Sequence, residues 1–244
     1  MLGWLLSVAY WIPTIVAVVD YFRRRPEWYW LLVIFFFGPL GAIVYLLVVV
    51  LPASGASDAV SITFAERRRK RELEVAVARN STPGHLAELG ELYYKDKKFA
   101  DAARMLERAV AEGIDHEEAG YYLGRSYEAL GRFADAVPPL VGVVRRNPRF
   151  RFGEAFLALG RCLEADGQKK DAEAAYREVL KNHTYAEARW RLAQLLTGQG
   201  KHEEARELAE LIIADAAGQP RFARGKEASY VSKARAWLTQ HRAM

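Results

Sequence analysis

The chain has 244 residues, enough for one or two domains of ordinary size, and its charges are spread unevenly. The formal net charge is +5 at pH 7, yet residues 84–244 carry 26 basic and 24 acidic residues and are almost neutral. A near-neutral region lacks the basic face of a nucleic-acid binder, so no nucleic-acid partner is predicted.

Residue types that carry chemistry are few and do not form recognisable sites. The single cysteine, Cys162, excludes an intrachain disulfide and a thiolate metal cluster. The five histidines show no spacing typical of metal ligands. We also find no nucleophile elbow, phosphate loop or paired-carboxylate signature. The sequence therefore predicts no enzyme activity, no catalytic residue, no metal and no cofactor.

The N-terminal region contains a long apolar run. The segment from Trp28 to Leu51 carries no charge, and sixteen of its side chains are Leu, Ile, Val or Phe. As a straight helix the run would measure about 36 Å, more than the ~30 Å hydrocarbon core of a bilayer. At roughly −0.3 to −0.6 kcal/mol per residue, the sixteen side chains favour insertion by about 5–10 kcal/mol. We predict that this segment spans a membrane.

A shorter apolar stretch precedes it. Residues 2–19 predict a first span; the alternative is a signal peptide, which is disfavoured because no basic n-region is present and a stronger apolar run follows. Residues 20–27 would then join two antiparallel spans, making residues 1–52 a two-helix transmembrane anchor. The sequence "GPLG" at 38–41 predicts a kink, with small residues that let the partner helix approach.

One stretch of this region resembles a known family. The sequence "RRRPEWYWLLVIFFFGPLGAIVYLL", residues 23–47, resembles the two-span N-terminal module of cardiolipin synthases and related phospholipase D-type proteins. The resemblance implies a membrane anchor whose following region faces the cytoplasm. It implies no lipid chemistry, because those enzymes need H-x-K-x-x-x-x-D and no histidine here has a lysine two positions later.

Two basic clusters give conflicting signals about orientation. Arg23–Arg25 lie in the predicted turn, whereas Arg67–Arg71 lie beyond the second span, near the outer limit at which basic residues set orientation. Basic residues favour the cytoplasmic side, and a two-span hairpin would put the clusters on opposite sides. Following the resemblance and the larger cluster, we predict an integral protein of the cytoplasmic (bacterial inner) membrane, with residues 84–244 in the cytoplasm.

Residues 53–83 predict a linker. Residues 52–65 are small and polar and predict a flexible tether, and residues 66–79 predict a helix. The basic run within that helix is a candidate for contact with anionic lipid headgroups; the alternative is a solvated helix face. The candidate headgroup residues are Arg67, Arg68, Arg69, Lys70 and Arg71.

The remaining sequence is repetitive. Leu-Gly or Leu-Ala pairs begin at Leu89, Leu123, Leu159 and Leu192, and alanines recur at the same three spacings at Ala102, Ala136, Ala172 and Ala205. Four such units, over residues 84–216, resemble the tetratricopeptide repeat, a helix–turn–helix unit of about 34 residues. The resemblance implies an all-α protein with an α-solenoid, and residues 217–244 would supply a capping helix.

The repeat pattern also predicts how the helices pack. Small residues such as Gly90, Gly124 and Gly160 would let the two helices of a unit approach closely. The larger residues predicted to fill the space between units are Tyr93, Tyr127, Leu106, Leu140 and Tyr176. Three glycines mark the turn inside a unit, and Lys97 stands at this place in the first unit. Pro138 and Pro139 predict that their helix starts late or bends.

The first helix of each unit would line the inner face of the solenoid, as the resemblance implies. The residues at these positions are Glu91, Tyr94, Tyr121, Arg125, Leu157, Arg161, Trp190 and Gln194. They combine apolar anchors with donors for carbonyls or carboxylates, so they predict a groove for a protein or peptide segment. The alternative is an ordinary scaffold surface. The family's lysine–asparagine clamp for a C-terminal carboxylate is not reproduced.

Two functions agree with this architecture. The first is a membrane-anchored scaffold or adaptor that binds a protein segment at the membrane surface. The alternative is a regulatory or assembly subunit of a membrane complex, whose hairpin packs against a partner's helices.

Overall fold

The computed structural model describes residues 2–24, 27–50, 56–218, 225 and 227–241, and the secondary structure of these residues is helical without strands. The predicted all-α fold is confirmed. The chain divides into two compact units, residues 1–71 and residues 72–244.

Among the described residues of the first unit, two helices pack against each other. α1 runs Leu2–Arg24, and α2 runs Tyr29–Tyr45 and continues as a π-helical turn, Leu46–Val50. Their contact surrounds a small core whose members are at most 3% exposed: Ala17, Ile34, Ala42 and Tyr45. By length and composition, residues 29–50 could cross a membrane, with a mean hydropathy of 2.7. A buried helix of a soluble protein, or a signal sequence, meets the same criterion.

α2 changes direction at the residues where the sequence predicts a kink. Gly38 has φ 51° and ψ −129°, far from helical values, and Pro39 follows it. The ring centres of Trp30 and Tyr45 lie only 5.6 Å apart. In a straight helix these residues would be separated by about 22 Å along the axis. The chain therefore reverses within α2, and the kink predicted at residues 38–41 is a full turn. That the segment spans a membrane stays a prediction.

α3 runs Ala56–Arg79 and overlaps the tether that the sequence predicts. Residues 56–65, predicted to be flexible, are helical, while residues 51–55 lie outside the described residues. The end of α3 belongs to the second unit, since Leu73 is 1% exposed within the core of that unit. The other predicted domain boundaries stay predictions.

In the part of the second unit that the structure describes, four helix pairs and a last helix follow. The pairs are α4 (Pro83–Lys95) with α5 (Phe99–Ala111), α6 (Glu117–Ala129) with α7 (Phe133–Arg146), α8 (Glu154–Ala165) with α9 (Lys169–Leu180), and α10 (Ala186–Gly198) with α11 (His202–Gly218). A short 3-10 helix, Phe150–Gly153, precedes α8, and the last helix is α12 (Ala228–Gln240). Each helix of the pairs packs against its partner and against the next helix in the chain.

The turns inside the pairs share one backbone conformation. Lys97, Gly131, Gly167 and Gly200 have φ values of 60°, 73°, 83° and 78°. Glycine adopts this left-handed region without steric cost, which explains three of the four residues. Lys97 adopts it despite its side chain, so the first turn carries a local strain that the other three lack.

The two helices of a pair meet at the small residues, as predicted. A Cβ atom added to Gly90 would lie 2.6 Å from a side-chain atom of Leu106, and one added to Gly124 would lie 2.5 Å from Leu140. Gly160 is approached at least as closely by the ring of Tyr176. These large residues thus pack onto the glycine of their own pair. The missing glycine side chain leaves room for them inside the unit. Tyr127, which was also predicted to lie between units, donates to Glu107 of the preceding unit at 2.6 Å.

Two further expectations can be compared with the helices. α7 begins at Phe133 and contains Pro138 and Pro139, so it does not start late. α12 packs against α11 and α10, with Ala234 and Trp237 buried at the contact. It covers the end of the last pair, as a capping helix does.

Candidate functional site

The predicted groove residues differ in how far they reach solvent. Tyr121 and Leu157 are buried, at 3% and 5% exposure, and Gln194 is exposed. The other five are intermediate: Glu91, Tyr94, Arg125, Arg161 and Trp190. A partner could therefore touch Trp190 and Gln194 directly, whereas Tyr121 and Leu157 belong to the framework beneath the face.

The two predicted arginines are engaged with a glutamate that the sequence analysis did not single out. Arg161 donates from Nε to Glu128 Oε1 at 2.6 Å and from Nη2 to Oε2 at 3.3 Å. Arg125 Nε lies 2.8 Å from Glu128 Oε2. The Arg161 and Glu128 side chains are each only 16% exposed, so this contact between α6 and α8 is well shielded from water.

The ion pairs continue from α8 to α10, the first helix of the fourth repeat. Arg161 Nη1 lies 3.5 Å from Glu187 Oε1, and Arg191 Nε donates to the same oxygen at 2.9 Å. Arg191 Nη1 in turn donates to Glu164 Oε2 at 3.1 Å. We call this set the inner ion network: Arg125, Glu128, Arg161, Glu164, Glu187 and Arg191. It links α6, α8 and α10 through alternating charges.

The network shifts the pKa values of its cations. Burial by itself lowers the pKa of Arg161, but the hydrogen bonds and negative charge of Glu128, with the charge of Glu187, more than offset it and raise the pKa. The pKa of Arg125 is likewise raised, because the contributions of Tyr121 and Glu128 outweigh its burial. Both guanidinium groups therefore stay charged at every pH that the fold tolerates.

An aromatic cluster lies at the α4–α6 end of the face. Tyr121 donates to Glu154 Oε2 at 2.9 Å and accepts a hydrogen bond from Arg125 Nη1 at 2.9 Å. Its ring lies 5.3 Å from Phe150 and 5.5 Å from Tyr122. Burial raises the pKa of Tyr121, so its hydroxyl remains a donor.

Arg151 covers this cluster from the segment before α8. Its guanidinium carbon lies 5.1 Å, 5.0 Å and 5.6 Å from the ring centres of Tyr121, Tyr122 and Phe150, within cation–π range. Nη2 also donates to the Tyr122 hydroxyl at 2.8 Å. Arg151 has φ 47°, so the cluster is covered by a residue in a left-handed conformation.

A cavity of about 430 Å³ lies at the other end of the face, between α10 and α12. Two predicted groove residues, Trp190 and Gln194, contribute to its wall, opposite Trp237 and His241. The Trp237 and His241 rings stack with centres 4.2 Å apart. The remaining lining residues are Thr197, Lys233, Ala236 and Gln240. The cavity has the size and aromatic character of a site for a bulky apolar side chain.

The repeat period carries a signal for the glutamates that the sequence analysis missed. Glu128 and Arg161 are 33 residues apart, whereas the equivalent residues Leu123 and Leu159 are 36 apart, so the two partners face each other at an offset of about one helical turn. Opposite charges about one turn out of register on successive first helices therefore indicate a pair that faces the neighbouring repeat and not solvent.

Three other features bear on the predicted sites: the basic run of α3, the buried cysteine and the absence of a metal-binding group among the described residues. The basic run lies on α3, where Arg67, Arg68, Arg69 and Arg71 are exposed and Lys70 is intermediate. Its contact with lipid stays a prediction. Cys162 is fully buried, and burial raises the pKa of its thiol to about 12, so it is a packed residue. Within the described residues, no group of three His, Cys, Asp or Glu side chains could hold a metal ion.

The repeated part of the chain matches a known family. The sequence model of the tetratricopeptide repeat family matches residues 87–149, 123–183 and 157–220, which together cover more than half of the chain. The chain belongs to the tetratricopeptide repeat family. The match falls on the four helix pairs and leaves the first unit unassigned, so the resemblance of residues 23–47 to the phospholipase D-type module stays a prediction.

Solved tetratricopeptide repeat structures share this fold. The structure titled "YrrB: a TPR protein with an unusual peptide-binding site" is 21% identical, with a TM-score of 0.60, over 72% of this chain and 88% of that one. MamA AMB-1 is 22% identical, with a TM-score of 0.58, over 70% and 90%. MamA from Desulfovibrio magneticus RS-1 is 16% identical, with a TM-score of 0.58, over 68% and 95%. No curated protein matches the sequence significantly.

Proposed function

We propose that this tetratricopeptide repeat protein is a membrane-anchored adaptor that binds a segment of another protein along the first helices of its repeats. The observation that carries the proposal is the cavity between α10 and α12, whose wall includes Trp190 and Trp237, at the end of the inner ion network. A segment lying along the face could place one bulky apolar side chain in this cavity.

The charges of the face indicate what kind of segment fits. Four arginines (Arg125, Arg151, Arg161, Arg191) are balanced by four glutamates (Glu128, Glu154, Glu164, Glu187), and most are paired with one another. A strongly acidic segment would gain little from cations that are already neutralised. We therefore expect a nearly neutral segment, with an aromatic or large aliphatic side chain as its main anchor.

Membrane attachment is supported by the apolar surface of the first unit. The side chains of Phe35, Phe36 and Phe37 are 67–82% exposed, and Leu40 is 70% exposed. Contiguous aromatic surface of this kind is rare on proteins surrounded by water. The exposed basic run of α3 would then lie close to anionic headgroups. The expected location is the cytoplasmic membrane, with the repeats in the cytoplasm.

Site-specific photocrosslinking in intact membranes tests the binding face. A photoreactive residue at Gln194, beside the cavity, should capture a discrete partner, and the capture should be lost when Trp190→Ala and Trp237→Ala are combined. The control places the same residue at Glu210 on α11, an exposed position outside the cavity. Equal capture from both positions, or capture that survives loss of both tryptophans, would contradict the proposal.

Exchange of residues 1–50 for a foreign two-helix anchor tests the role of the first unit. An adaptor requires only attachment, so partner capture from Gln194 should be retained. Loss of capture at unchanged membrane level would favour the assembly-subunit function, in which the hairpin itself contacts the partner.

A further inference from the structure

We propose that α2 does not cross the bilayer: it enters the lipid, reverses at Gly38–Pro39 and leaves on the side where it entered. This path rests on the membrane attachment proposed above. It differs from the two-span hairpin that the sequence predicts, and it places both basic clusters of the first unit on one side of the membrane.

The backbone at Gly38 has the geometry of a chain reversal. Its φ of 51° and ψ of −129° are close to the first central position of a type II′ turn, at about +60° and −120°. A Cβ atom on Gly41 would collide with the carbonyl oxygen of Val33. In a straight helix these two positions would be separated by about 12 Å along the axis. The two arms of α2 therefore lie side by side, in contact through Gly41.

Neither arm is long enough to span. Residues 29–37 correspond to about 14 Å of helix, and residues 39–50 to about 18 Å. The hydrocarbon core of a bilayer is about 30 Å thick. The whole segment meets the length criterion for a span only if it is straight, and its two arms separately do not.

Polar and aromatic groups mark one end of the hairpin as the end nearest water. The Tyr45 hydroxyl donates to Asp20 Oδ2 at 3.1 Å, and Asp20 lies in the last turns of α1. Trp30, near the start of α2, packs against the same tyrosine. Tyr45 is thus held at the level of the α1–α2 connection, where interfacial aromatic residues are typically found.

The turn of α2, at the opposite end of its two arms, is apolar. Phe35, Phe36, Phe37 and Leu40 surround the turn, and each is at least 67% exposed. Acyl chains are the surroundings that suit these side chains, since burying aromatic surface in lipid is favourable and the turn contains no charged residue. The hairpin therefore has one end suited to the interface and one end suited to the interior of the bilayer.

The basic residues agree with this path independently of the backbone. In a two-span arrangement, Arg23–Arg25 and Arg67–Arg71 fall on opposite sides, and one cluster violates the preference of basic residues for the cytoplasm. If α2 returns to the side it left, residues before Tyr29 and residues after Val50 face the same compartment. Both clusters then satisfy the rule together.

Single-cysteine labelling in sealed vesicles of known orientation tests the path. Glu27→Cys, before α2, and Glu66→Cys, on α3, should react with a membrane-impermeant maleimide from the same side, and Phe36→Cys should react from neither side. Wild-type protein is the control, because its one cysteine is buried and should stay unlabelled. Labelling of residues 27 and 66 from opposite sides would overturn the proposal. Recovery of the protein in the aqueous fraction would instead contradict the membrane attachment on which this path rests.

A turn-breaking variant checks the cause of the reversal. Gly38→Ala combined with Pro39→Leu replaces the turn with helix-forming residues, since alanine does not tolerate φ 51° together with ψ −129°, and leucine restores the backbone donor. The straightened segment would be long enough to span, so residues 27 and 66 should now react from opposite sides. Leu40→Ala, which leaves the turn residues in place, should keep both on one side. Same-side labelling in the double variant would contradict the assigned turn.

Discussion

The carboxylate of Glu128, on the first helix of the second repeat, receives two hydrogen bonds from Arg161, on the first helix of the third, at 2.6 Å and 3.3 Å. It also lies 2.8 Å from Arg125 on its own helix. One carboxylate thus holds two cations on neighbouring repeats, and both cations were predicted from the sequence to face a partner. Their first role is to join the repeats.

Replacing this glutamate should destabilise the protein. Glu128→Gln leaves two largely shielded guanidinium groups without their counter-ion, and we expect a loss of about 1–3 kcal/mol in the free energy of unfolding. Denaturant unfolding of the purified full-length protein, followed by circular dichroism, measures it. Glu112→Gln is the control, because the ion pair of Glu112 with Arg108, at 3.8 Å, is more exposed and should change stability by less than about 0.5 kcal/mol. Equal effects for the two variants would show that the network contributes nothing.

A glycine at residue 97, in the turn between α4 and α5, should increase the stability of the protein. Lys97 has φ 60°, whereas the equivalent residues of the other three repeats are glycines. Lys97→Gly removes the left-handed strain and should raise the free energy of unfolding by about 1 kcal/mol, or the melting temperature by roughly 2–4 °C. Lys98→Gly is the matched control, since Lys98 has φ −88° and gains nothing from glycine. An unchanged or lower melting temperature for Lys97→Gly would contradict the assigned strain.

Alkaline pH should destabilise the protein in part through Cys162. Burial raises the pKa of its thiol to about 12, above the ~8.5 of an unfolded chain. Between these values the unfolded state releases a proton that the folded state retains, so stability is complete below about pH 8.5 and falls as pH rises towards 12. The contribution is at most about 1.4 kcal/mol per pH unit.

Comparison of wild type with Cys162→Ala isolates this effect. Denaturant unfolding at pH 7.5 and pH 10 should show a smaller loss of stability for the alanine variant, although its stability at pH 7.5 is somewhat lower because a buried atom is removed. Identical pH dependence in the two proteins would mean that the thiol is accessible to water in the folded state.

The repeat fold could be predicted because the determinants of each helix pair are local. A Leu-small pair, an alanine and a turn glycine recur at one period, and each acts within its own unit, as the contact of Gly124 with Leu140 shows. Pro138 and Pro139 do not delay the start of α7, because packing of α7 against its neighbours stabilises a helix that the isolated segment would disfavour. Likewise, the small and polar composition of residues 56–65 predicted a flexible tether, although these residues form the start of α3.

The features that were missed depend on pairs of residues distant in sequence. Glu128 and Arg161 become partners only when adjacent repeats stack at one particular offset. The cavity wall combines Trp190 with Trp237, which belong to α10 and α12. The reversal of α2 depends on a single pair of dihedral angles at Gly38, which hydrophobic composition does not encode. Hydropathy reports how much apolar surface a segment has and not the path that the segment takes.

The inner ion network also has a mechanical consequence. Solenoids of helix pairs commonly flex by small changes of angle between successive repeats, which lengthen or shorten the inner surface. Glu128 and Glu187 connect three successive first helices on that surface, so opening one inter-repeat angle stretches these ion pairs. The ion pairs therefore oppose changes of angle among the second, third and fourth repeats.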